Sequence, residues 1–243
     1  MLLIDTDIVL FKAATTAEVE VDWGSDVFSL WSDLRDAKAS FETQLTHIKD
    51  KTGQDDCIFC LSDPDSNFRK LVDPSYKSNR RKTRKPVGYK ALVQWVKDTF
   101  PTFSKPSLEA DDCMALLATK DGNQGKCIIV SDDKDMLSVP SELYRPTKDE
   151  RLTVTEQEAD KFFLMQTLIG DPVDGYKGVP GIGPKKAEAL LGIRPAWSAV
   201  EQAFLKAGLT KQDAITQARL ARILRWSDWD DEKGEVKLWT PDT

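Results

Sequence analysis

The chain has 243 residues, 40% hydrophobic and 30% charged, with a net charge of −6, a composition ordinary for a soluble globular protein. No uninterrupted apolar run is long enough to span a bilayer, and "MLLIDTDIVLFKAA" carries acids where a secretion signal needs a basic region, so a cytoplasmic protein without a membrane partner is expected. Only one CxxC exists, Cys57 and Cys60 inside the apolar "CIFCL", and His47 is the single histidine, so buried free thiols are expected in place of a zinc site.

"MLLID" reads as a short buried strand ending at Asp5, followed by an irregular acidic stretch. Leu30, Leu34, Ala37, Phe41, Leu45 and Ile48 recur every three or four residues and predict one apolar helical face. "CIFCLSD" is a second buried strand, ending at Asp63. Next comes a basic stripe. Arg69, Lys70, Lys77, Arg80, Arg81, Lys82, Arg84, Lys85 and Lys90 stand against Asp73 alone, a local charge able to bind phosphates on an acidic protein.

Pro86 suits the first turn of a helix over "VGYKALVQWVKDTF". "PTFSKP" breaks it, and Ser107 is a candidate cap for "LEADDCMALLAT". After the turn "KDGNQGK", "CIIVSDD" is a third buried strand. Strands apolar on both faces and alternating with helices predict an α/β fold, a mostly parallel central sheet flanked by helices. Thr155 and Glu158 predict a capping box before "QEADKFFLMQTLI". A Gly- and Pro-rich segment follows, then helical patterns to about Trp226, and "GEVKLW" as a last short strand. The boundary is placed near residue 150, with a catalytic α/β domain over 1–150 and a helical C-terminal lobe over 151–243.

All three sheet strands end in aspartate: Asp5, Asp63, and the group of Asp132, Asp133 and Asp135. Ligands of open α/β sheets bind at the carboxyl ends of strands, so these acids are expected at one edge. Glu109, Asp111 and Asp112 of "LEADD" open a helix just before the third strand. A helix N-terminus favours carboxylates, which alone would account for Asp112. It does not account for acids at the end of every strand. So many carboxylates repel one another unless cations lie between them, and oxygen donors suit Mg²⁺ or Mn²⁺. A cluster this large has room for two ions, which can activate water on one side of a phosphodiester and stabilise the leaving oxygen on the other.

"GDPVDGYKGVPGIGPKKAEALL" is the most specific stretch. Asp171 and Asp174 follow one helix, and a Gly-rich turn opens into another with Pro184 in its first turn. The amides of residues 181 to 183 form an expected phosphate nest, with Lys185 and Lys186 adding charge. Such an element reads backbone phosphates and no base sequence.

Together these residues resemble the structure-specific 5′ nuclease family, which includes flap endonucleases. The resemblance rests on Asp5, the "SD" at Asp63, "YKSNR", "LEADD", "SDDKD" and "GDPVDGYKGVPGIG", and covers most of the chain. The fragments "LVDPSYKSNRRKTRKPVGY", "GDPVDGYKG" and "ARILRW" are most similar to the double-strand-specific 5′→3′ exonucleases of podovirus-type phages, which also remove RNA from RNA–DNA hybrids. The resemblance implies metal ligation by Asp5, Asp63, Glu109, Asp111, Asp133, Asp135 and Asp171, with Asp112 and Asp174 in the same cluster acting through water. Lys77 and Arg80 match the basic pair that contacts the scissile phosphate, and Tyr76 is expected to stack on a terminal base. Arg81, Lys82, Arg84 and Lys85 extend the DNA-binding stripe. Gly178, Gly181, Ile182 and Gly183, with Lys185 and Lys186, match a helix-hairpin-helix element that holds duplex DNA, often through a bound K⁺. Implied partners are duplex DNA with a 5′ end or flap, RNA–DNA hybrids and replication proteins.

Asp63 is preferred over Asp65 because it directly follows the strand, and Asp133 and Asp135 over Asp132 on the Asp-x-Asp spacing of the family. Asp7 would face away on a continuing strand, and reaches the site if the strand has already ended. A non-catalytic DNA-binding protein of the same fold is the competing reading, opposed by the intact acidic set.

Overall fold

The computed structural model describes residues 1–79, 84–193 and 195–241. Arg80, Arg81 and Lys82 lie outside the described residues.

A six-stranded sheet forms the centre, in the order β5-β4-β1-β6-β7-β8. β1 (Leu2–Asp5), β4 (Cys57–Cys60) and β6 (Ile128–Val130) are the three strands expected from their apolar runs. β1 lies parallel to β4 on one side and to β6 on the other. β5 (Thr102–Phe103) extends the sheet beyond β4, and β7 (Ser141–Arg145) beyond β6, both parallel. Only the edge strand β8 (Glu150–Val154) runs antiparallel, against β7. The sheet is therefore mostly parallel, and its order reverses direction at β1, where carboxyl strand ends open a crevice.

Alternation of side chains along β1 builds the two faces. Leu2 and Ile4 point into a core with Phe41 and Leu45 from α2 (Leu34–Thr52) and Leu92 and Val96 from α4 (Tyr89–Thr99). Leu3 points the other way, onto Cys113, Met114 and Leu116 of α5 (Ala110–Thr119). The cysteines carry free thiols, three of them buried. A third core, with Phe163, Leu168, Val200, Phe204 and Ala218, joins α6 (Glu156–Ile169), α7 (Pro184–Leu191), α8 (Trp197–Lys206) and α9 (Lys211–Ala221). No described helix is long and apolar enough to cross a membrane.

Several local expectations are corrected. The stretch after Asp5 is ordered as α1 (Thr6–Thr16), because Asp5 caps it by accepting the Ile8 amide, and Val9, Leu10, Ala13 and Ala14 give it a buried face. Residues 18 to 32 then form a hairpin of β2 (Glu18–Asp22) and β3 (Phe28–Ser32). Leu30 belongs to β3, so the helical face of α2 begins at Leu34, behind its cap Asp33. Pro86 precedes α4, whose N-cap is Gly88 in the left-handed region. Ser107 does not cap α5. It has φ +63°, its amide donates to Asp63, and Glu109 is the N-cap in a reciprocal capping box with Asp112. The capping box of Thr155 with Glu158 forms as expected, as does Pro184 in the first turn of α7. "GEVKLW" contributes β10 (Glu235–Val236), paired with β9 (Trp229–Asp230).

Candidate active site

The strand ends bring Asp5 of β1 and Asp133 after β6 together, and the N-terminus of α5 adds Asp111. Asp5 is only 4% exposed. One of its oxygens accepts the Ser131 hydroxyl at 2.7 Å and the other the Ile8 amide. Burial pushes its carboxyl up to about 7 despite the Ser131 bond, with the charges of Asp7 and Asp133 adding to the rise. Asp111 is raised well above the usual carboxylate range, first by burial, then by Asp5 and Asp133. Asp7 joins this group because β1 ends at Asp5 and α1 starts at Thr6, turning Asp7 inward. It accepts the Ser62 amide at 3.3 Å and the Tyr89 hydroxyl at 3.4 Å.

The neighbouring acids are differently placed. Glu109 accepts Lys77 Nζ at 2.6 Å, Arg69 at 3.1 Å and the Tyr76 hydroxyl at 3.0 Å. Burial raises its carboxyl, but Lys77 and Arg69 outweigh it and leave it at about 2. Asp112 is fully buried, and Arg69 grips both of its oxygens, at 2.7 and 2.8 Å. Asp112 also accepts the Leu224 amide, so its oxygens hold the fold together and do not face the cleft. Arg69, the first residue of the short helix α3 (Arg69–Val72), is 1% exposed and donates further to the carbonyls of Leu220 and Arg222, which removes it from the phosphate-binding stripe.

At the far end, Asp133 accepts the amide of Asp135, and Asp135 takes the Gln166 side-chain amide at 2.7 Å. Burial, then the Asp133 charge, raises Asp135 to about 6. Asp171 is paired with Lys134 at 2.6 Å. Asp174 accepts the Tyr76 hydroxyl at 3.1 Å and lies 3.4 Å from Lys77.

Asp63 stands apart. Its oxygens accept the amides of Ser107 and Asp65 and the Ser66 hydroxyl, which together hold its carboxyl at about 2. It orders the loop after β4, and among the described residues its carboxylate shares no hydrogen bond with another carboxylate. Asp132 pairs with Lys12 at 2.9 Å and with Thr147, away from Asp133.

Tyr76 is also corrected. Its ring is 3% exposed, packed in the helical core with Lys77 and Arg69 over its faces, so it has no free surface for stacking on a base. Lys77 has φ +52°, and its amide donates to the Asp174 carbonyl, which turns the side chain into the acids. Arg84 is bound by Glu18 of the β2–β3 hairpin through its two terminal guanidinium nitrogens, at 2.5 and 2.8 Å, and Lys85 lies over the Tyr89 ring.

In the Gly-rich turn, Gly178 is a packing residue and not a phosphate contact. Its φ is +59°, a Cβ there would stand 2.4 to 2.6 Å from the backbone of Leu168, Ile169 and Gly170, and its amide is taken by Gln217. The Ile182 amide donates to the Val179 carbonyl. Gly181 and Gly183 face open space, Lys185 is exposed, and Lys186 donates to the Gly181 carbonyl at 2.8 Å.

Among the described residues, no three carboxylate, thiol or imidazole groups converge tightly enough to form a ready-made ion cage. The acids lie along a cleft, and lysines and an arginine stand between several of them. The donor set nevertheless fits a hard divalent cation: oxygens only, and a partly buried subset whose charges raise one another's pKa. Arg69 as the buried hub, Ser131 and Gln166 were not legible as site residues. For Arg69 the only signal was its position directly after the apolar Phe68.

Residues 1–163 match the family described as 5′-3′ exonuclease, N-terminal resolvase-like domain. The chain is 32% identical to the exodeoxyribonuclease of Enterobacteria phage T3, across 99% of this chain and 93% of that protein. It is 31% identical to the exonuclease of Escherichia phage T7 with the same coverage. In fold it is similar to the phage T5 5′-exonuclease with bound zinc, at TM-score 0.60 and 18% identity over 91% of this chain and 93% of that one. A T5 flap endonuclease held with DNA and metal ions superposes at TM-score 0.61 and 16% identity, over 90% and 89%. The chain belongs to the 5′-3′ exonuclease family and is a 5′-3′ nuclease.

Proposed function

We propose that the protein is a divalent-metal-dependent 5′→3′ exonuclease that hydrolyses phosphodiesters from the 5′ end of duplex DNA. The observation that carries this reading is the group of Asp5, Asp111 and Asp133, acids crowded at the sheet's switch point with two of them pushed above the carboxylate range. Asp5, Asp111, Asp133 and Asp135 would hold Mg²⁺ or Mn²⁺, with Glu109, Asp171 and Asp174 completing a place for a second ion. Ions bound there supply Lewis-acid chemistry, activating the attacking water and neutralising charge on the leaving oxygen.

The chain's own residues do the rest. Lys77, held between Glu109 and Asp174, is positioned to move onto the reacting phosphate as charge develops on it. Arg80 is proposed as its partner. The turn between α6 and α7 acts as a helix-hairpin-helix element, with open glycines 181 and 183 and exposed Lys185 against duplex phosphates. Backbone reading tolerates ribose, so flaps and RNA primers paired to DNA are proposed as further substrates.

The test uses duplex DNA labelled at the 5′ or the 3′ end, an RNA–DNA hybrid and an unstructured single strand, each with and without Mg²⁺. Metal-dependent release of short 5′ products from the duplex and the hybrid is expected, with slow attack on the single strand. Loss of 3′ nucleotides first, or cleavage unchanged in EDTA, overturns the reading.

A further inference from the structure

Lys134 lies between Asp133 and Asp135, in the 3-10 turn Lys134–Ser138 that follows β6. Its Nζ donates to Asp171 Oδ2 at 2.6 Å. Asp171 is 4% exposed, and its Oδ1 accepts the amides of Val173 and Asp174. Oδ1 is thus committed to shaping the 171–174 turn. Oδ2 is the oxygen left for a cation, and Lys134 holds it.

Four acids crowd this end of the cleft: Asp133, Asp135, Asp171 and Asp174. Among the described residues Asp135 has no salt bridge, and Gln166 gives it only an uncharged amide. Lys134 is placed to offset several of them at once, because its neighbours in sequence are two of the four. The Lys134 side chain is half exposed, at 53%. An ammonium on a flexible four-carbon stem can leave for water without opening a cavity, unlike buried Arg69.

We infer that Lys134 is a built-in counter-ion that occupies the divalent-ion position at Asp171 and is displaced when the ion enters. It contributes one positive charge where Mg²⁺ or Mn²⁺ contributes two. It would thereby hold the acids together in the ion-free protein and set the ion concentration above which the second position fills. This rests on the metal-dependent reading above, and it concerns ion uptake and not turnover.

The test compares wild type with Lys134→Met, Lys134→Gln and Lys134→Arg. Mn²⁺ binding is read from the electron-paramagnetic-resonance signal of the free ion, and melting is followed with and without Mn²⁺. In both neutral variants the weaker Mn²⁺ position is expected to tighten about tenfold. Their ion-free melting temperature falls while the Mn²⁺-induced rise grows. Lys134→Arg stays near wild type. Two neutral variants of different shape guard against one failing to fold. An unchanged or weaker isotherm in a folded neutral variant, beside normal uptake by wild type, overturns this inference alone. No Mn²⁺ uptake by wild type would overturn the metal-site reading itself.

Discussion

Two halves of one cleft treat the same chemical group in opposite ways. Around Asp5, Asp111 and Asp133 carboxylates face carboxylates, and burial with mutual repulsion pushes Asp5 and Asp111 up. Around Arg69 and Lys77 the acids are matched: Asp112 is gripped twice by Arg69, and Glu109 is held at about 2 by Lys77 and Arg69. Asp111 and Asp112 are neighbours in sequence, yet the turn of α5 delivers one to each half. The unmatched half has the properties of a site awaiting cations. Within the matched half the Arg69–Asp112 pair is structural, and it fixes where the unmatched acids stand by tying α5 to the end of α9 at Leu220 and to Arg222 just beyond it.

The largest effect is expected where the unmatched half meets chemistry. Asp133→Asn removes one ligand charge without opening a cavity. Turnover on duplex DNA is expected to fall at least a thousandfold, about 4 kcal/mol of barrier. The fold should persist by circular dichroism, and DNA affinity in EDTA should hold or improve as repulsion of phosphate is relieved. Near-normal turnover would break the assignment of that half to catalysis.

In the matched half the same kind of substitution should strike stability. Asp112→Asn leaves the guanidinium of Arg69 buried with one carboxylate fewer. Removing one partner of a fully buried pair costs about 3–5 kcal/mol. Urea unfolding should show that loss as a lower midpoint with an unchanged slope. A stability change below about 1 kcal/mol would mean that Asp112 does not hold the fold.

Much of this contrast was hidden in the sequence for a physical reason. Sequence position locates an acid at a strand end, as for Asp5, or at a helix start, as for Asp111, while the preference for Asp133 over Asp132 came from the family resemblance. It does not say which cation reaches across from a distant segment. Arg69 reads as one more charge in a basic stripe, because nothing local reveals that Asp112, 43 residues away, will enclose it. The same limit applies to the sheet. β1, β4 and β6 were legible as apolar runs, whereas β5 has two residues and the edge pair β7 and β8 mixes charged with apolar side chains. α1 was missed because its cap, Asp5, had already been read as chemistry. The hairpin could have been found, since "EVEVD" alternates with period two.

The pH dependence separates the halves without mutation. Asp5, raised from 3.8 to about 7, and Asp135, raised from 3.8 to about 6, bind protons more readily folded than unfolded. Their contribution to stability is full below about pH 4 and is lost as pH rises to 7. Glu109 and Asp63, lowered to about 2, act in the opposite sense, but their contribution is lost only as pH falls from about 4 to 2. In EDTA, stability from urea titrations should therefore decline between pH 5 and 7.5. Saturating Mg²⁺ should flatten that decline, because the cation replaces the proton between the acids. A decline of equal slope with and without Mg²⁺ would mean that the unmatched acids are not where the ion binds.

The smallest effect has the most diagnostic sign. Asp111→Asn is the same chemical change as Asp112→Asn, one residue earlier, on the same turn of α5. Asp111 is pushed up by burial and by Asp5 and Asp133, and the Lys77 charge offsets only part of that rise in the ion-free protein. Replacing it with a neutral amide removes its repulsion with Asp5 and Asp133. At pH 7.5 in EDTA the variant is expected to be more stable than wild type, on the order of 1 kcal/mol, as replacement of unfavourable buried charge often is. With Mg²⁺ the ranking should reverse, because wild type then gains an ion that the variant holds less well. At pH 5, where Asp5 and Asp135 are protonated, the EDTA advantage should shrink. If Asp111→Asn destabilises the ion-free protein as Asp112→Asn does, the division of the cleft into unmatched and matched halves fails at the two residues that define it.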